Sequence, residues 1–172
     1  MAPDEVFSLL YVNYVDDLYY FGISMGYGED AVRDAIHDVF LKLFSSRTRY
    51  EAVKNWKAYL FRSLNNRLVD LSRHPTDSLE SDRKGIEALL EDSFGEREVD
   101  ETKSLVANRL TCLINSLPYR QKLSIHLRFF EEMSYDEIAE VLRCSNHAAR
   151  ISVSKAIQNL RKYNLLMKLW QE

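Results

Sequence analysis

The sequence predicts an all-α fold of two small helical domains joined by an acidic linker, the C-terminal one a helix-turn-helix domain. Apolar residues recur every three or four positions along most of the chain, and no stretch alternates with the period of a strand. The three Pro and five Gly of the 172 residues fall at the ends of these stripes or between them, where they act as helix punctuation. Between the two halves, Pro75 to about Lys103 is rich in Asp, Glu and Ser and nearly free of aromatics, the composition of a flexible connector. With 46% hydrophobic and 28% charged residues the chain forms a core, and its length suits one domain or two small ones.

Taken in order, Phe7, Leu10, Tyr11, Tyr14, Leu18 and Phe21 line one face of a first helix, which Gly22, Gly26 and Gly28 are expected to end. A second helix buries Val32, Ala35, Ile36, Val39, Phe40 and Leu43, with Ser45 and Ser46 marking its exit. The third stripe is Trp56, Tyr59, Leu60, Ser63, Leu64, Leu68 and Leu71. His74 and Pro75 stop it, because the residue before proline resists helical backbone angles. These three helices make a first domain over residues 1–74, and residues 75–103 make the linker.

The second domain is expected over residues 104–172. Val106, Leu110, Leu113, Ile114 and Leu117 form its first stripe, ended by Pro118, and Leu123, Leu127 and Phe130 form the next. Ser134 and Glu137 then make a capping box for a short helix that faces inward through Ile138, Val141 and Leu142. After Arg143 and Cys144, Ser145 caps a longer helix with core positions Ala149, Val153, Ala156 and Leu160. A short helix, a tight turn and a longer helix constitute a helix-turn-helix. With that stripe inward, His147, Arg150, Ile151, Ser154, Lys155 and Gln158 turn outward at about 100° per residue. Arg and Lys suit guanine edges or phosphates, Ser and Gln bond adaptably, and Ile can meet a thymine methyl. A plain helical hairpin with a solvated basic face would show the same spacing.

Charge separates these readings further. The net charge of -3 conceals two basic blocks: residues 45–74 hold seven basic and two acidic side chains, and residues 143–172 hold six and one. Residues 1–44 hold two basic and eight acidic side chains, and residues 75–104 four and ten. Basic blocks that coincide with the third helix and the recognition helix fit a polyanion, while an overall acidic chain does not coat DNA indiscriminately.

The run Leu117-Pro118-Tyr119-Arg120-Gln121-Lys122, the run Glu131-Glu132-Met133-Ser134-Tyr135-Asp136-Glu137-Ile138-Ala139-Glu140, and Ser145 with Lys155-Ala156 resemble the promoter-reading C-terminal domain of bacterial RNA polymerase sigma factors. The small extracytoplasmic-function class matches best. The resemblance implies that Ser145, Asn146, His147, Arg150, Ile151, Ser154 and Lys155 meet the upstream (minus thirty-five) promoter element. Arg143 stands where the family commonly has glycine in the turn, and the recognition helix is less basic than usual.

The first half is similar to the same family. Arg33 to Phe44 looks like the segment that docks on the coiled-coil clamp of the polymerase, so Asp34, His37, Asp38, Leu41 and Lys42 are the implied polymerase contacts, with His37 where glutamine is usual. Tyr59 to His74 resembles the element for the downstream (minus ten) site, and the loop from Ser45 to Asn55 corresponds to the one that captures a flipped base. The implied DNA contacts there are Arg47, Arg49, Tyr50, Asn55, Trp56, Arg62, Asn65, Asn66 and Arg73. An unstacked base needs a planar partner and edge hydrogen bonds, which Tyr50, Asn55, Trp56 and Asn66 offer, although Trp56 also begins the buried stripe.

The expected function is recruitment of core RNA polymerase to promoter DNA and assistance in opening it, without covalent chemistry, cofactor or metal. Cys112 and Cys144 give no disulfide framework, and Cys144 with His147 lacks the second pair that a zinc pattern needs. An anti-sigma factor is a further candidate partner, for which the apolar tail Leu165, Leu166, Met167, Leu169 and Trp170 offers one surface, with packing on the second domain as the alternative. With no apolar run near the ~18 residues of a membrane span and no basic, apolar start, the chain is expected in the cytoplasm. The competing reading is a dimeric helix-turn-helix repressor or activator.

Overall fold

The computed structural model describes residues 3–46, 52–73 and 101–169, with side chains described for 5–46, 52–73 and 106–163. The chain divides into two compact units, Met1–Asp92 and Ser93–Glu172. The described elements are helical throughout: α1 (Pro3–Ser24), α2 (Glu29–Ser45) and α3 (Trp56–Arg73) in the first unit, then α4 (Glu101–Asn115), α5 (Tyr119–Ile125), α6 (Tyr135–Leu142) and α7 (Asn146–Leu169) in the second. The linker reading of residues 75–103 lies outside the described residues, apart from the start of α4.

In the first unit each helix packs on the other two. Leu18, Phe21, Val32, Leu43, Leu60, Phe61, Leu64 and Leu68 are sealed at its centre. The α2 stripe is the one the periodicity predicts, Val32, Ala35, Ile36, Val39, Phe40 and Leu43. Gly22 does not end α1, however, which continues to Ser24. A Cβ at Gly22 would lie 2.7 Å from Val32 Cγ1, so this glycine lets α1 and α2 approach closely. The helix ends at Gly26, whose φ of 97° suits a residue without a side chain. Its N–H donates to the Ile23 carbonyl at 2.9 Å and that of Tyr27 to Gly22 at 3.3 Å, the paired bonds of a Schellman motif. Asn55 begins α3 by accepting the Ala58 N–H on its side-chain oxygen at 3.0 Å.

Several residues lie on a different face from the one expected. Tyr11 is 44% exposed, with its ring edge-on to Phe40 at 5.0 Å between centroids. Asn65 is buried, since α3 presents Ala58, Phe61, Asn65 and Leu68 inward as well as Leu60 and Leu64. A stripe chosen on apolar identity alone passes over that asparagine. In the second unit Val106 and Leu110 are 61% and 47% exposed, and among the described side chains of α4 it is Ile114, near its end, that is buried in the core.

That core joins Ile114, Leu117, Ile125 and Ala156, with Ile157, Leu160 and Tyr163 packed against it. After α5 the chain takes one π-helical turn, His126–Phe130, in which the Glu131 N–H reaches the His126 carbonyl at 3.1 Å. The extra residue in that turn rotates its later side chains about the helix axis, which leaves the predicted core residue Phe130 58% exposed and Phe129 56% exposed. Lys122, Ser124 and His126 are buried in the same stretch. Burial lowers the Lys122 ammonium to a pKa of about 8. It lowers His126 to about 4, with the nearby Lys122 charge adding to the effect.

Candidate nucleic-acid interface

The helix-turn-helix forms as its capping residues dictate. Ser134 Oγ accepts the Glu137 N–H at 3.3 Å, and the Glu137 carboxylate accepts the Ser134 N–H at 2.7 Å, so the capping box is complete. At the other end of α6, the Cys144 N–H returns to the Ala139 carbonyl at 3.0 Å, which places Arg143 in the left-handed region at φ 51°. Ser145 then caps α7, accepting the Ala148 N–H at 3.1 Å on its hydroxyl. Ala149, Val153 and Ala156 are buried on the inner face of α7, while His147, Arg150, Ile151, Ser154 and Lys155 are exposed on the outer face. An apolar inner row therefore sets a row of donors and one branched aliphatic group, Ile151 at 40% exposure, on a single surface. That is the composition needed to read base edges in a major groove.

Three of the predicted contacts, Ser145, Asn146 and Arg150, are already engaged inside the protein. Besides the Ser145 cap, the Asn146 amide donates from Nδ2 to Asp136 Oδ1 at 2.7 Å and accepts Arg150 Nε on Oδ1 at 2.8 Å. The Arg150 guanidinium also lies over the Tyr135 ring, 4.4 Å from its centroid, and that of Arg128 lies over the same ring at 4.7 Å. Arg128 is anchored by donating to the Met133 carbonyl at 2.8 Å. Sequence reasoning passed over Tyr135, Asp136 and Arg128, although the one-turn spacing of Asn146 and Arg150 makes their hydrogen bond legible.

On the first unit, Asp34, His37, Leu41 and Lys42 are exposed on α2. Asp34, His37 and Leu41 border a groove of about 930 Å³ between α1 and α2, floored by Phe7, Tyr11 and Phe40. Asp38 differs from the expectation in being half-buried and paired: its Oδ2 accepts from Arg67 Nε at 2.8 Å and lies 2.7 Å from Arg67 Nη2. On α3, the half-buried Trp56 meets Tyr59 edge-on at 6.0 Å between ring centroids, and the Arg62 guanidinium lies over Tyr59 at 5.8 Å. Asn66 is half-buried and Arg73 exposed. Asn65 is turned into the core, while the half-buried Asn55 uses its side-chain oxygen on the α3 cap. Arg47, Arg49 and Tyr50 lie outside the described residues.

Residues 107–160, which include α6, the turn and α7 as far as Leu160, match the family Sigma-70, region 4. RNA polymerase sigma factor SigV of Bacillus subtilis (strain 168) is 24% identical over 148 residues, covering 84% of this chain and 82% of the relative. ECF RNA polymerase sigma factor SigX of the same organism is 24% identical over 174 residues, covering 96% and 87%. The chain thus carries a sigma-70 region 4 domain and is homologous to extracytoplasmic-function sigma factors. Its function is accordingly to direct RNA polymerase to promoters. The fold of this chain is shared with CnrH, solved in complex with the cytosolic domain of CnrY (TM-score 0.66, 21% identity, 93% of this chain and 88% of that one). It is shared also with the sigma factor RpoE of Bartonella quintana, solved with the anti-sigma factor NepR (TM-score 0.65, 21% identity, 92% and 96%). No described helix of the chain is long and apolar enough to cross a membrane.

Proposed function

We propose that this sigma factor divides promoter recognition between its two halves. Residues 1–74 hold the polymerase and the downstream element, residues 104–172 hold the upstream element, and residues 75–103 connect them. Asp34, His37, Leu41 and Lys42 of α2 are the polymerase contacts, with the aromatic groove beside them receiving apolar side chains of the clamp. Trp56, Arg62, Asn66 and Arg73 of α3, with Arg47, Arg49 and Tyr50 before it, engage the separated strand of the downstream element. His147, Arg150, Ile151, Ser154 and Lys155 of α7 read the upstream element. The single observation that carries this reading is the exposed donor row on α7, set opposite a buried Ala149, Val153 and Ala156 in a helix-turn-helix that the family match covers.

The chain is proposed to act in the cytoplasm and to catalyse no covalent step. CnrH and RpoE are each solved with a partner protein, and an anti-sigma factor is proposed to bind this chain as well. The test is transcription from genomic DNA fragments by purified core polymerase, with and without this protein. New start sites that depend on the protein, and whose use Arg150→Ala shifts toward other upstream sequences, are the expected result. A dimer footprint over inverted half-sites in the absence of polymerase would refute it.

A further inference from the structure

Arg150 is an exposed side chain on a helix surface, yet it is held at two points. Its Nε donates to Asn146 Oδ1 at 2.8 Å, and its guanidinium lies 4.4 Å from the centroid of the Tyr135 ring. The Asn146 amide cannot turn over freely, because its Nδ2 donates to Asp136 Oδ1 at 2.7 Å. Asp136 therefore fixes which end of Asn146 faces Arg150, and Asn146 with Tyr135 fixes the guanidinium. Both residues that begin this relay, Tyr135 and Asp136, belong to the first turn of α6, the helix before the recognition helix.

An arginine free in solvent loses rotamer entropy when it meets a base, and a pre-positioned one has already lost it. Using Nε on Asn146 leaves the two terminal amino groups of Arg150 as the forked donor pair, which is the pair that spans two acceptors on a guanine edge. The second guanidinium near the same ring, that of Arg128 at 4.7 Å, brings two positive charges to one aromatic side chain. Such a pairing is unfavourable in the free protein and is relieved when a polyanion arrives.

We propose that Tyr135 and Asn146 are positioning residues for upstream-element recognition: they set the guanidinium of Arg150 for a base, and so determine selectivity at one promoter position without touching DNA themselves. This rests on the assignment of Arg150 to base reading made above. It removes Asn146 from the direct contacts and adds a residue of α6 to the determinants of specificity.

The experiment uses the full chain with core polymerase and a promoter pool randomised across the upstream element, scoring base preference at each position. Arg150→Ala should flatten the preference at one position. Tyr135→Leu should weaken the preference at that same position by about two- to fivefold, the effect of losing an exposed cation–π contact that orders the side chain. Tyr135→Phe, which keeps the aromatic face, should retain it, and Asn146→Ala should weaken the same position by the second route. In the Arg150→Ala background neither Tyr135→Leu nor Asn146→Ala should change the profile further. If Arg150→Ala flattens one position and Tyr135→Leu with Asn146→Ala leave it intact, or lower all positions equally, the positioning role is wrong while the reading of Arg150 stands. If Arg150→Ala flattens none, both fall together.

Discussion

Arg143 shows how a single backbone angle records a departure in sequence. It closes α6 in the left-handed region at φ 51°, a conformation in which a Cβ costs energy and glycine does not, and it stands where the family commonly has glycine. Arg143→Gly is expected to stabilise the second unit by about 1 kcal/mol, seen as a higher midpoint in urea with an unchanged slope. His126 carries a different consequence. Its pKa is lowered to about 4 by burial and then by Lys122, whereas in the unfolded chain it titrates near its ordinary value of 6.5. Between these values the unfolded chain binds the proton that the folded chain refuses, so stability is full above about 6.5 and falls as pH drops toward about 4. His126→Gln should flatten that part of the stability profile, measured by denaturant melts at stepped pH. An unchanged slope in the variant would mean that other groups govern the acid limb.

At the scale of elements, the Asp38–Arg67 pair joins α2, which carries the proposed polymerase contacts, to α3, which carries the proposed downstream-element contacts. Its side chains are about 42% exposed, so its contribution to stability is small and its main effect is on the relative placement of two helices. Reversing Asp38 alone would therefore disturb α3 as well as the clamp surface. The discriminating set is Asp34→Lys, Arg67→Asp, and Asp38→Arg combined with Arg67→Asp. Asp34→Lys should weaken core binding while leaving melting of α3 contacts intact. Arg67→Asp should impair promoter opening, measured by permanganate reactivity of unpaired thymines, and the double swap should restore it. Failure of the swap to restore opening would assign Arg67 to DNA directly. Element boundaries obey the same local logic: capping and the Schellman turn at Gly26 were written in Ser, Asn and Gly positions, whereas the π-helical turn at His126–Phe130 has no such signal and displaced Phe130 from its expected face.

For the whole molecule, charge is the governing quantity. Each basic block is a net five positive charges by composition, while residues 1–44 and 75–104 are each a net six negative. Non-specific affinity for duplex rises with the number of phosphates neutralised, and nearby acidic residues oppose it. The isolated protein is expected to bind promoter duplex weakly and with steep salt dependence. With core polymerase present, two contacts on one complex gain effective concentration and the affinity should rise sharply. A fluorescence titration of one promoter duplex at near-physiological salt, with sigma alone, core alone and both, measures this. Tight selective binding by the isolated protein would contradict it.

The helical class, the α2 core stripe, the capping box and the outward row from His147 to Lys155 were legible in the sequence, because each is set by residues within a few positions of one another. Periodicity places side chains on faces, and caps choose helix ends, without reference to the rest of the fold. Which face meets a neighbour is a different matter, since it depends on contacts between residues far apart in the chain. Gly22 becomes a point of close approach only because Val32 lies against it, Asn65 is buried only because α3 is flanked by two helices, and Val106 and Leu110 stay exposed because nothing described covers them. The same holds at the interface. The types and spacing of the α7 donors are a property of the sequence, but the hold of Tyr135 and Asp136 on Asn146 and Arg150 exists only once the turn brings the starts of α6 and α7 together, because hydrogen bonds and ring contacts act over a few ångströms of space rather than along the chain.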